Sequence, residues 1–318
     1  MTPTNDATPT AAAKAATPTA AAKVAVAAVI LAAGEGQRLR PLTTLVPKAL
    51  CPVANVALLD RALARLAGLG MQGPSTVAVN AAYLADQIVT HVGDRAHLSV
   101  EPDGPVGTSG GIGRLRGWID GRGVLVGNAD AYLADPLREP GKDIAALLDG
   151  WRGDTVRMLT KPVLPGDTGG FSGRRFAGFS LLPWRYVRDL TPEFSDLVHT
   201  VWRPAEAAGE LELIPYEGVY LDTGTPATYL AANLHAAAAS GDGDRPGPAA
   251  GSGRPIAPDA TVTGSAEDSV VGAGALVAGR IRRCVVWPGA RVAAGEDLTD
   301  VIRASHDMTV PASPPARI

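Results

Sequence analysis

Two kinds of apolar spacing alternate along the first 130 residues. A continuous apolar run occupies residues 24–33, and shorter strand-like runs occupy 75–80, 97–100 and 123–130. Between these runs, apolar side chains recur every three or four positions at 58–69 and 82–92. Continuous runs are typical of parallel strands buried on both faces, and the wider spacing is typical of amphipathic helices. The alternation predicts a Rossmann-like α/β fold, in which helices cover both faces of a mostly parallel sheet.

A different repeat occupies the residues after 255. Aliphatic side chains recur with a period of 15 residues at Ile256, Val271 and Val286, and again at Val262, Val277 and Val292. Short strands that repeat in this way stack into a small β-solenoid, because each coil buries its aliphatic residues against the next. Three coils are barely enough to stand alone, so we expect them to dock on the preceding domain or on another subunit.

Composition sets the remaining boundaries. The first 22 residues are mostly alanine, threonine and proline, which predicts a disordered leader, and a stretch rich in glycine, proline and aspartate after residue 240 predicts a linker. The chain of 318 residues is therefore divided into the leader (1–22), an α/β domain (23–240), the linker (241–254), the repeat domain (255–304) and a tail (305–318).

Charge, cysteine content and hydropathy exclude several classes of protein. A net charge of −3 and a pI near 6.0 leave no basic stripe, so we expect no nucleic-acid partner. Cys51 and Cys284 lie in different predicted domains and have no metal-ligand spacing, so we expect both to be reduced, structural thiols. The apolar run at 24–33 is too short to span a bilayer. We therefore expect a cytoplasmic protein with no membrane partner.

The first apolar run ends in a glycine-rich turn, Gly34-Glu-Gly-Gln-Arg38. Glycine at positions 34 and 36 permits positive φ and removes the Cβ atoms that would keep an anion away from the backbone N–H groups. Arg38 and Arg40 add positive charge. By itself the pattern fits either a phosphate-binding turn or a turn that serves only the geometry of the chain.

The segment Pro47-Lys-Ala-Leu-Cys-Pro-Val53 follows this turn closely. Together the two segments resemble the signature of the sugar-1-phosphate nucleotidyltransferases, L-A-A-G-x-G-x-R-L-x-P-L-T followed by P-K-x-L-x-P-V. The resemblance is to the branch of mannose-1-phosphate guanylyltransferases and related uridylyl- and thymidylyltransferases, and it extends with gaps over residues 24–304. It implies that 23–240 is a nucleotidyltransferase domain and that the repeat is a left-handed β-helix.

The same resemblance assigns roles to individual residues. It implies that Arg38 and Lys48 are catalytic, with Lys48 neutralising the reacting phosphates. The implied nucleotide-binding residues of the first loop are Leu31, Ala33, Gly34, Gly36, Gln37 and Arg38.

A second glycine-rich loop, Gly104 to Gly113, runs into a predicted helix. It resembles the family's G-T-A-G-A segment, which implies that Gly107 and Thr108 contact the nucleoside; alternatively, it is a flexible surface connection. Many relatives have a glutamate three residues before that first glycine. Here Gly104 occupies the position, with Asp103 beside it, so the resemblance does not identify the base.

Polar residues follow two later strands. The strand that begins at Gly123 ends at Asn128 and Asp130, and Asp222 ends the strand of Glu217-Gly-Val-Tyr-Leu-Asp-Thr-Gly-Thr-Pro226. By resemblance, both aspartates bind Mg²⁺, Asn128 contacts the sugar phosphate, and Gly178 of the strand at 176–182 lets the sugar approach the backbone. The alternative is that each aspartate caps a turn or a helix.

The resemblance implies transfer of a nucleoside monophosphate from an NTP to a sugar 1-phosphate, which releases an NDP-sugar and pyrophosphate. GTP with mannose 1-phosphate is the first expectation, and a uridylyl- or thymidylyltransferase on another sugar is the second. A non-catalytic regulatory subunit that binds a nucleotide sugar is the alternative from another class. A dehydrogenase is disfavoured, because the first loop lacks the third glycine of the dinucleotide fingerprint. The resemblance also implies a homo-oligomer.

Overall fold

The computed structural model describes residues 24–164, 166, 169–239 and 254–312. The predicted leader (1–22) lies outside the described residues, as does the predicted linker (241–254) apart from Arg254. Within the described ranges, no helix is both long enough and apolar enough to cross a membrane.

Among the described residues, eleven strands belong to the first domain. They are β1 (Val26–Leu31), β2 (Pro52–Val53), β3 (Val56–Ala57), β4 (Val77–Ala81), β5 (His97–Val100), β6 (Gly123–Asn128), β7 (Ala131–Ala134), β8 (Val156–Pro162), β9 (Arg174–Leu182), β10 (Leu211–Pro215) and β11 (Val219–Asp222). Seven of them form the central sheet in the order β10-β8-β9-β6-β1-β4-β5. Only β9 runs antiparallel to its neighbours in this sheet, so the prediction of a mostly parallel sheet is confirmed.

The helices predicted at 58–69 and 82–92 are present with shifted ends, and the described residues contain seven α-helices in all. They are α1 (Leu58–Gly68), α2 (Ala85–Val92), α3 (Gly107–Arg114), α4 (Arg116–Ile119), α5 (Trp184–Val187), α6 (Arg203–Ala207) and α7 (Pro226–Ala239). The helix expected from residue 82 begins at Ala85, because Leu84 has a φ of 49° and a left-handed residue cannot continue a right-handed helix. Residues Ala145–Leu147 form a single 3₁₀ turn.

Alternate residues of the sheet enter two separate cores. Ile30 of β1 packs in a cluster with Leu59 of α1 and Ile88 of α2, whereas its neighbour Val29 packs in a cluster with Ile112 of α3. Side chains one residue apart on a strand point to opposite faces, so helices on both sides are needed to bury a fully apolar strand. The continuous apolar run at the start of the chain is explained by this double burial.

The repeat domain forms a β-helix of short parallel strands. Its strands are β12 (Thr261–Val262), β13 (Ser265–Glu267), β14 (Val270–Val271), β15 (Leu276–Val277), β16 (Arg280–Arg282), β17 (Val285–Val286), β18 (Arg291–Val292), β19 (Asp297–Thr299), β20 (Val301–Arg303) and β21 (Thr309–Pro311). Val262 pairs with Val277, and Val277 with Val292, as the period of 15 predicts. The handedness of the coils stays a prediction.

The β-helix docks on the first domain. Trp287 Nε1 donates to the Tyr229 hydroxyl of α7 at 3.1 Å, and that hydroxyl donates to the carbonyl of Pro52. Val285 and Ile302 share an apolar cluster with Cys51 and Leu230. Of the two predicted docking surfaces, the structure shows the catalytic domain; the homo-oligomer stays a prediction.

The residues assigned to a tail take part in this packing. Strand β21 pairs antiparallel to β20, and Val310 and Ala312 are buried in the same cluster as Cys51. The packed structure therefore continues past residue 304, because an antiparallel strand closes the last coil. Cys51 and Cys284 are both buried free thiols, as predicted.

Candidate active site

The carboxyl ends of β1 and β6 lie side by side at the point where the strand order reverses. Leu31 pairs with Asn128, and the chain proceeds from β1 to β4 and β5 on one side before it returns to β6 on the other. Open α/β sheets bind ligands at such a switch point, because the loops on its two sides diverge and leave a crevice. The glycine-rich turn after β1 and Asp130 after β6 therefore share one edge of the sheet.

The turn after β1 brings the Gly36 backbone against Lys48. Gly36 has a φ of 63°, and a Cβ atom there would lie 2.8 Å from Thr43 Cγ2 and 3.0 Å from Lys48 Cβ. The Thr43 hydroxyl donates to the Gly36 carbonyl at 3.0 Å. Conformation and space both require glycine at position 36. At Gly34, by contrast, a Cβ atom would meet nothing within 4 Å among the described residues, so this backbone faces open space.

The other first-loop residues predicted to bind the nucleotide lie along the same stretch. Leu31 ends β1, Ala33 is buried in the turn, and Gln37 begins the 3₁₀ turn Gln37–Leu39. The Gln37 side chain donates to Glu35 at 2.8 Å. Their contact with a nucleotide stays a prediction.

Lys48 lies at the centre of a charged cluster that it forms with Arg38, Asp130 and Asp222. The Lys48 Nζ atom donates to Asp130 Oδ2 at 2.5 Å and to Asp222 Oδ1 at 3.3 Å. Arg38 Nη2 donates to Asp222 Oδ2 at 3.2 Å. Lys48 is only 8% exposed, and a buried ammonium requires compensating negative charge, which the two carboxylates supply. The structure thus brings together all four charged residues that the sequence singled out.

The turns that carry the two aspartates are tied to each other. Strand β11 pairs with β7 so that Asp222 lies opposite Ala131, and the Thr223 hydroxyl donates to the Asp130 carbonyl at 2.9 Å. A Cβ atom at Gly224 would lie 2.6 Å from Arg38 Nη2, so the missing side chain makes room for the guanidinium. Segments far apart in sequence are in this way held at one point.

The electrostatic environment keeps Asp222 ionised. Partial burial by itself raises the pKa of this carboxyl, but the Lys48 ammonium and the Arg38 guanidinium outweigh it, and the pKa of Asp222 lies below its ordinary value. Lys48 also lies near Cys51, whose burial raises the pKa of the thiol to about 12, with Lys48 opposing the rise. Cys51 is therefore a neutral neighbour of the charged cluster.

The contacts of the two aspartates argue against capping roles. Among the described residues, the carboxylates of Asp130 and Asp222 accept hydrogen bonds from Lys48 and Arg38. Thr225 instead caps α7, since its hydroxyl accepts the Thr228 N–H at 3.2 Å.

Two carboxylates that share one cation fit a divalent metal. Hard oxygen ligands suit Mg²⁺, which also keeps water ligands and binds substrate phosphates. In the part of the chain that the structure describes, no group of three or more His, Cys, Asp or Glu residues is arranged to hold a metal ion. An ion at this cluster would therefore take its other ligands from water or from a bound phosphate.

The second glycine-rich loop is packed against residues 191–200. A Cβ atom at Gly107 would lie 2.2 Å from the Ser195 carbonyl oxygen, and Gly107 has a φ of 78°. The Thr108 hydroxyl accepts the Leu197 N–H at 2.9 Å, and the Ser109 hydroxyl lies 2.5 Å from that of Thr200. The loop is therefore a fixed helix start and not a flexible connection. Nucleoside contact by Gly107 and Thr108 stays a prediction.

Sequence reasoning missed a buried polar network between the two glycine-rich loops. Asn80 Oδ1 accepts the Ala32 N–H at 2.7 Å, and Asn80 Nδ2 donates to Glu101 Oε1 at 2.7 Å. Glu101 Oε2 accepts the Val106 N–H at 3.0 Å. Asn80 lies in the carboxyl-terminal half of β4, and Glu101 directly follows β5. A polar residue near the carboxyl end of a strand, the signal that identified Asp130, could therefore also have identified these two residues.

The predicted sugar side lies next to the charged cluster. Gly178 has a φ of 87°, and a Cβ atom there would lie 2.6 Å from Ala131 Cβ and 3.6 Å from Tyr220 Cε2. Asn128 ends β6 and is partly exposed. Lys161 donates to the carbonyls of Tyr216 and Gly218 at 3.1 and 3.0 Å, which fixes the approach to β11. Sugar contacts by Asn128 and Gly178 stay predictions.

Comparison with known sequences places this site in a family. The sequence model of the nucleotidyl transferase family matches residues 27–139, a range that includes Arg38, Lys48 and Asp130. An N-acetylmuramate alpha-1-phosphate uridylyltransferase of Caulobacter vibrioides is 30% identical over 239 residues, which are 67% of this chain and 97% of that protein. This chain belongs to the sugar-1-phosphate nucleotidyltransferase family.

A further relative and a solved structure are also similar to this chain. A mannose-1-phosphate guanylyltransferase of Mycobacterium tuberculosis is 31% identical over 151 residues, so this nucleotidyltransferase matches only 39% of the length of that protein. A solved structure from Bacillus anthracis, named as a glucose-1-phosphate thymidylyltransferase, has a TM-score of 0.52 and 16% identity, and the match covers 70% of this chain and 98% of that one. At this identity the structural match shows the fold alone.

Family membership confirms the predicted class of reaction, which is nucleotidyl transfer to a sugar 1-phosphate. It does not favour the non-catalytic regulatory subunit. Enzymes of the family generally use a divalent metal, usually Mg²⁺.

Proposed function

We propose that this nucleotidyltransferase transfers the uridylyl group of UTP to a sugar 1-phosphate of the N-acetylmuramate type and releases pyrophosphate. The charged cluster carries the proposal, because Arg38, Lys48, Asp130 and Asp222 come from separate segments and meet at the carboxyl edge of the sheet. The reaction requires two polyanions to approach each other, and catalysis of such transfers rests on positioning and on compensation of charge.

In this mechanism a phosphate oxygen of the sugar 1-phosphate attacks the α-phosphorus of UTP. The bond from the α-phosphorus to the bridging oxygen of the departing pyrophosphate breaks as the new bond forms. Lys48 is held in place by two carboxylates, so its charge is already aimed where negative charge concentrates during the attack. The side chain of Arg38 is 68% exposed and is free to turn towards the triphosphate. The backbone N–H groups of residues 34–37 would hold the phosphates.

Asp130 and Asp222 are the residues that would hold Mg²⁺. The bound ion would supply positive charge that offsets the charge of the phosphates. Both carboxylates are partly exposed, at 35% and 44% of the side chain, so they are open to an incoming substrate complex.

The choice of base and sugar rests on the extent of the matches. The alignment with the uridylyltransferase spans 97% of that protein, whereas the alignment with the guanylyltransferase spans 39% of its length. This difference reverses the order expected from the sequence, in which GTP and mannose 1-phosphate came first. GTP with mannose 1-phosphate is the second candidate, favoured by the 31% identity to the mycobacterial protein.

A panel of substrate pairs tests the proposal. The purified protein is mixed with Mg²⁺, with UTP, GTP or dTTP, and with the 1-phosphate of N-acetylmuramate, N-acetylglucosamine, mannose or glucose, and pyrophosphate release is measured. We expect the fastest release with UTP and N-acetylmuramate 1-phosphate, and none without a sugar phosphate. Fastest release with GTP and mannose 1-phosphate would establish the second candidate. No release with any pair would contradict transferase activity.

A further inference from the structure

Arg175 lies on the predicted sugar side and has no anionic partner among the described residues. Its Nε atom is buried and donates no hydrogen bond to any described residue. Its guanidinium packs over the Tyr220 ring, with Cζ 5.2 Å from the ring centroid. Stacking on an aromatic ring satisfies the face of a guanidinium but leaves its N–H groups in need of acceptors. A buried donor without an acceptor is rare in proteins and often marks the place of a ligand, ion or water.

The preceding residue provides an internal contrast. The Arg174 Nε atom donates to the Thr160 hydroxyl at 2.7 Å, and its Nη2 atom donates to the Thr160 carbonyl at 3.3 Å. Both arginines belong to β9 and carry the same charge. Arg174 therefore links β9 to β8, whereas the Arg175 Nε atom has no hydrogen-bond partner among the described residues.

The position of Arg175 relates it to the reacting groups. Tyr220 and Asp222 are two residues apart on β11, so their side chains leave the same face, roughly 6–7 Å apart along the strand. Tyr220 Cε2 lies 3.6 Å from the Cβ position of Gly178, the residue predicted to let the sugar approach. Burial raises the pKa of the Tyr220 hydroxyl, Asp222 and Asp130 raise it further, and Arg175 opposes them. The Tyr220 side chain is therefore near both the carboxylate pair and the Arg175 guanidinium.

We propose that Arg175 binds a carboxylate on the sugar, so that the enzyme selects an acidic sugar 1-phosphate over its neutral counterpart. The inference rests on the proposed uridylyl transfer to a sugar 1-phosphate and adds the residue that determines its specificity. N-acetylmuramate differs from N-acetylglucosamine by a lactyl ether that ends in a carboxylate. With the phosphate at Lys48 and the ring beside Gly178, this substituent extends along Tyr220 towards Arg175. A planar guanidinium is suited to pair with a carboxylate through two parallel hydrogen bonds.

The test compares two sugars that differ only in the lactyl group. The kcat and KM for UTP-dependent pyrophosphate release are measured with N-acetylmuramate 1-phosphate and with N-acetylglucosamine 1-phosphate. The variants are Arg175→Gln, which keeps a flat side chain on Tyr220 without charge, and Arg175→Lys, which keeps the charge without the fork. Arg174→Gln is the matched control, since it removes the same group from the adjacent position. Thermal midpoints establish that each variant is folded.

We expect the unmodified enzyme to prefer the acidic sugar. Arg175→Gln should lower kcat/KM for the acidic sugar roughly tenfold to a hundredfold, mainly through KM, and leave the neutral sugar nearly unchanged. Arg175→Lys should retain part of the preference, and Arg174→Gln all of it. Equal loss on both sugars, or an enzyme without preference for the acidic sugar, would overturn the inference while leaving uridylyl transfer intact. Failure of the proposed function is distinct, since no sugar phosphate would then give pyrophosphate.

Discussion

The carboxyl edge of the central sheet and the C-terminal β-helix are both made from short apolar strands, but they place their charges differently. At the carboxyl edge, Lys48 is buried between Asp130 and Asp222, and Arg38 closes the cluster. On the β-helix, exposed charged residues pair across coils, as Arg283 does with Asp300 at 2.7 Å. Bringing several charged groups together in a partly buried site costs desolvation free energy, which a bound ligand can offset. Exposed ion pairs cost little and contribute little to the free energy of unfolding.

The two regions differ in what constrains their sequences: packing in the β-helix and chemistry at the carboxyl edge. The interior of the β-helix contains aliphatic residues such as Val277, Val286 and Val292, whose loss would affect packing. The carboxyl edge contains residues whose loss would affect chemistry. Substitutions in the two regions should therefore separate turnover from stability, and the following experiments test that separation in order of expected effect.

The largest effect on turnover is expected at the aspartates. Asp130→Asn and Asp222→Asn should each lower kcat roughly a thousandfold, because a carboxamide binds Mg²⁺ weakly, while the thermal midpoint without substrate should fall only slightly, because the other carboxylate still compensates the charge of Lys48. The kcat of the double variant should be only slightly lower than that of either single variant, since residues that bind one ion act as a unit. Asp94→Asn, at an exposed position, is the control. Additive losses, or full activity with excess chelator, would exclude a shared metal.

A smaller loss of turnover is expected for Lys48→Ala. Removing a preorganised cation from the reacting phosphates typically costs about 3 kcal/mol, or roughly a hundredfold in kcat, with a lesser effect on nucleotide affinity. Steady-state kinetics and nucleotide titration on the purified variant measure the two effects. Lys142→Ala, at an exposed lysine, should behave as the unmodified enzyme. Equal kinetics for the two variants would show that Lys48 has no part in the chemistry.

The opposite result is expected for Trp287→Ala on the docking face of the β-helix. Trp287 is 5% exposed, and truncating a buried tryptophan costs about 3–5 kcal/mol, which lowers the thermal midpoint by on the order of 10 °C. Turnover of the folded enzyme at low temperature should stay close to that of the unmodified protein. Arg291→Ala, on the exposed surface of the same coil, is the control. If Trp287→Ala lowered turnover as strongly as Lys48→Ala, the two regions would not be separable.

The smallest effect concerns the pH dependence of the β-helix. The Ala293 N–H donates to Glu296 Oε2 at 2.6 Å, and this bond lowers the pKa of Glu296 below its ordinary 4.5; burial opposes the shift and Arg303 assists it. A lowered carboxyl pKa stabilises the folded state above pH 4.5, and this contribution disappears as the pH falls through the folded-state value. Glu296→Gln should therefore lower the thermal midpoint at pH 7 by at most about 2–4 °C. A difference that persisted unchanged at pH 3 would contradict this account.

Much of the fold was predictable because its signals are local. Buried strands, the helix periods and the 15-residue repeat are visible in the order of apolar residues. The charged cluster was predictable for a related reason, since Asp130 and Asp222 end strands and parallel strands bring their ends to one edge.

What the sequence did not reveal depends on contacts between distant segments. Asn80 and Glu101 also lie near strand ends, but nothing local shows that they bind each other and two backbone N–H groups. Arg174 and Arg175 are adjacent and chemically the same, and only the three-dimensional structure distinguishes the partnered one from the other. The left-handed Leu84 that delays α2 was hidden because leucine is an ordinary helix residue.

The bond from Tyr229 to the Pro52 carbonyl and the burial of Val310 and Ala312 beside Cys51 bear on how the protein is made. The loop that presents Lys48 is completed by residues about 260 positions later in the chain, which the ribosome adds at roughly 5–20 residues per second. For many seconds the nascent chain therefore contains the first loop without Val310 and Ala312, which pack beside it in the folded protein. Synthesis truncated before the last coil would yield chains with an exposed apolar surface, open to aggregation and to proteases. The enzyme therefore acquires its complete active-site support only after the last coil of the β-helix has been synthesised.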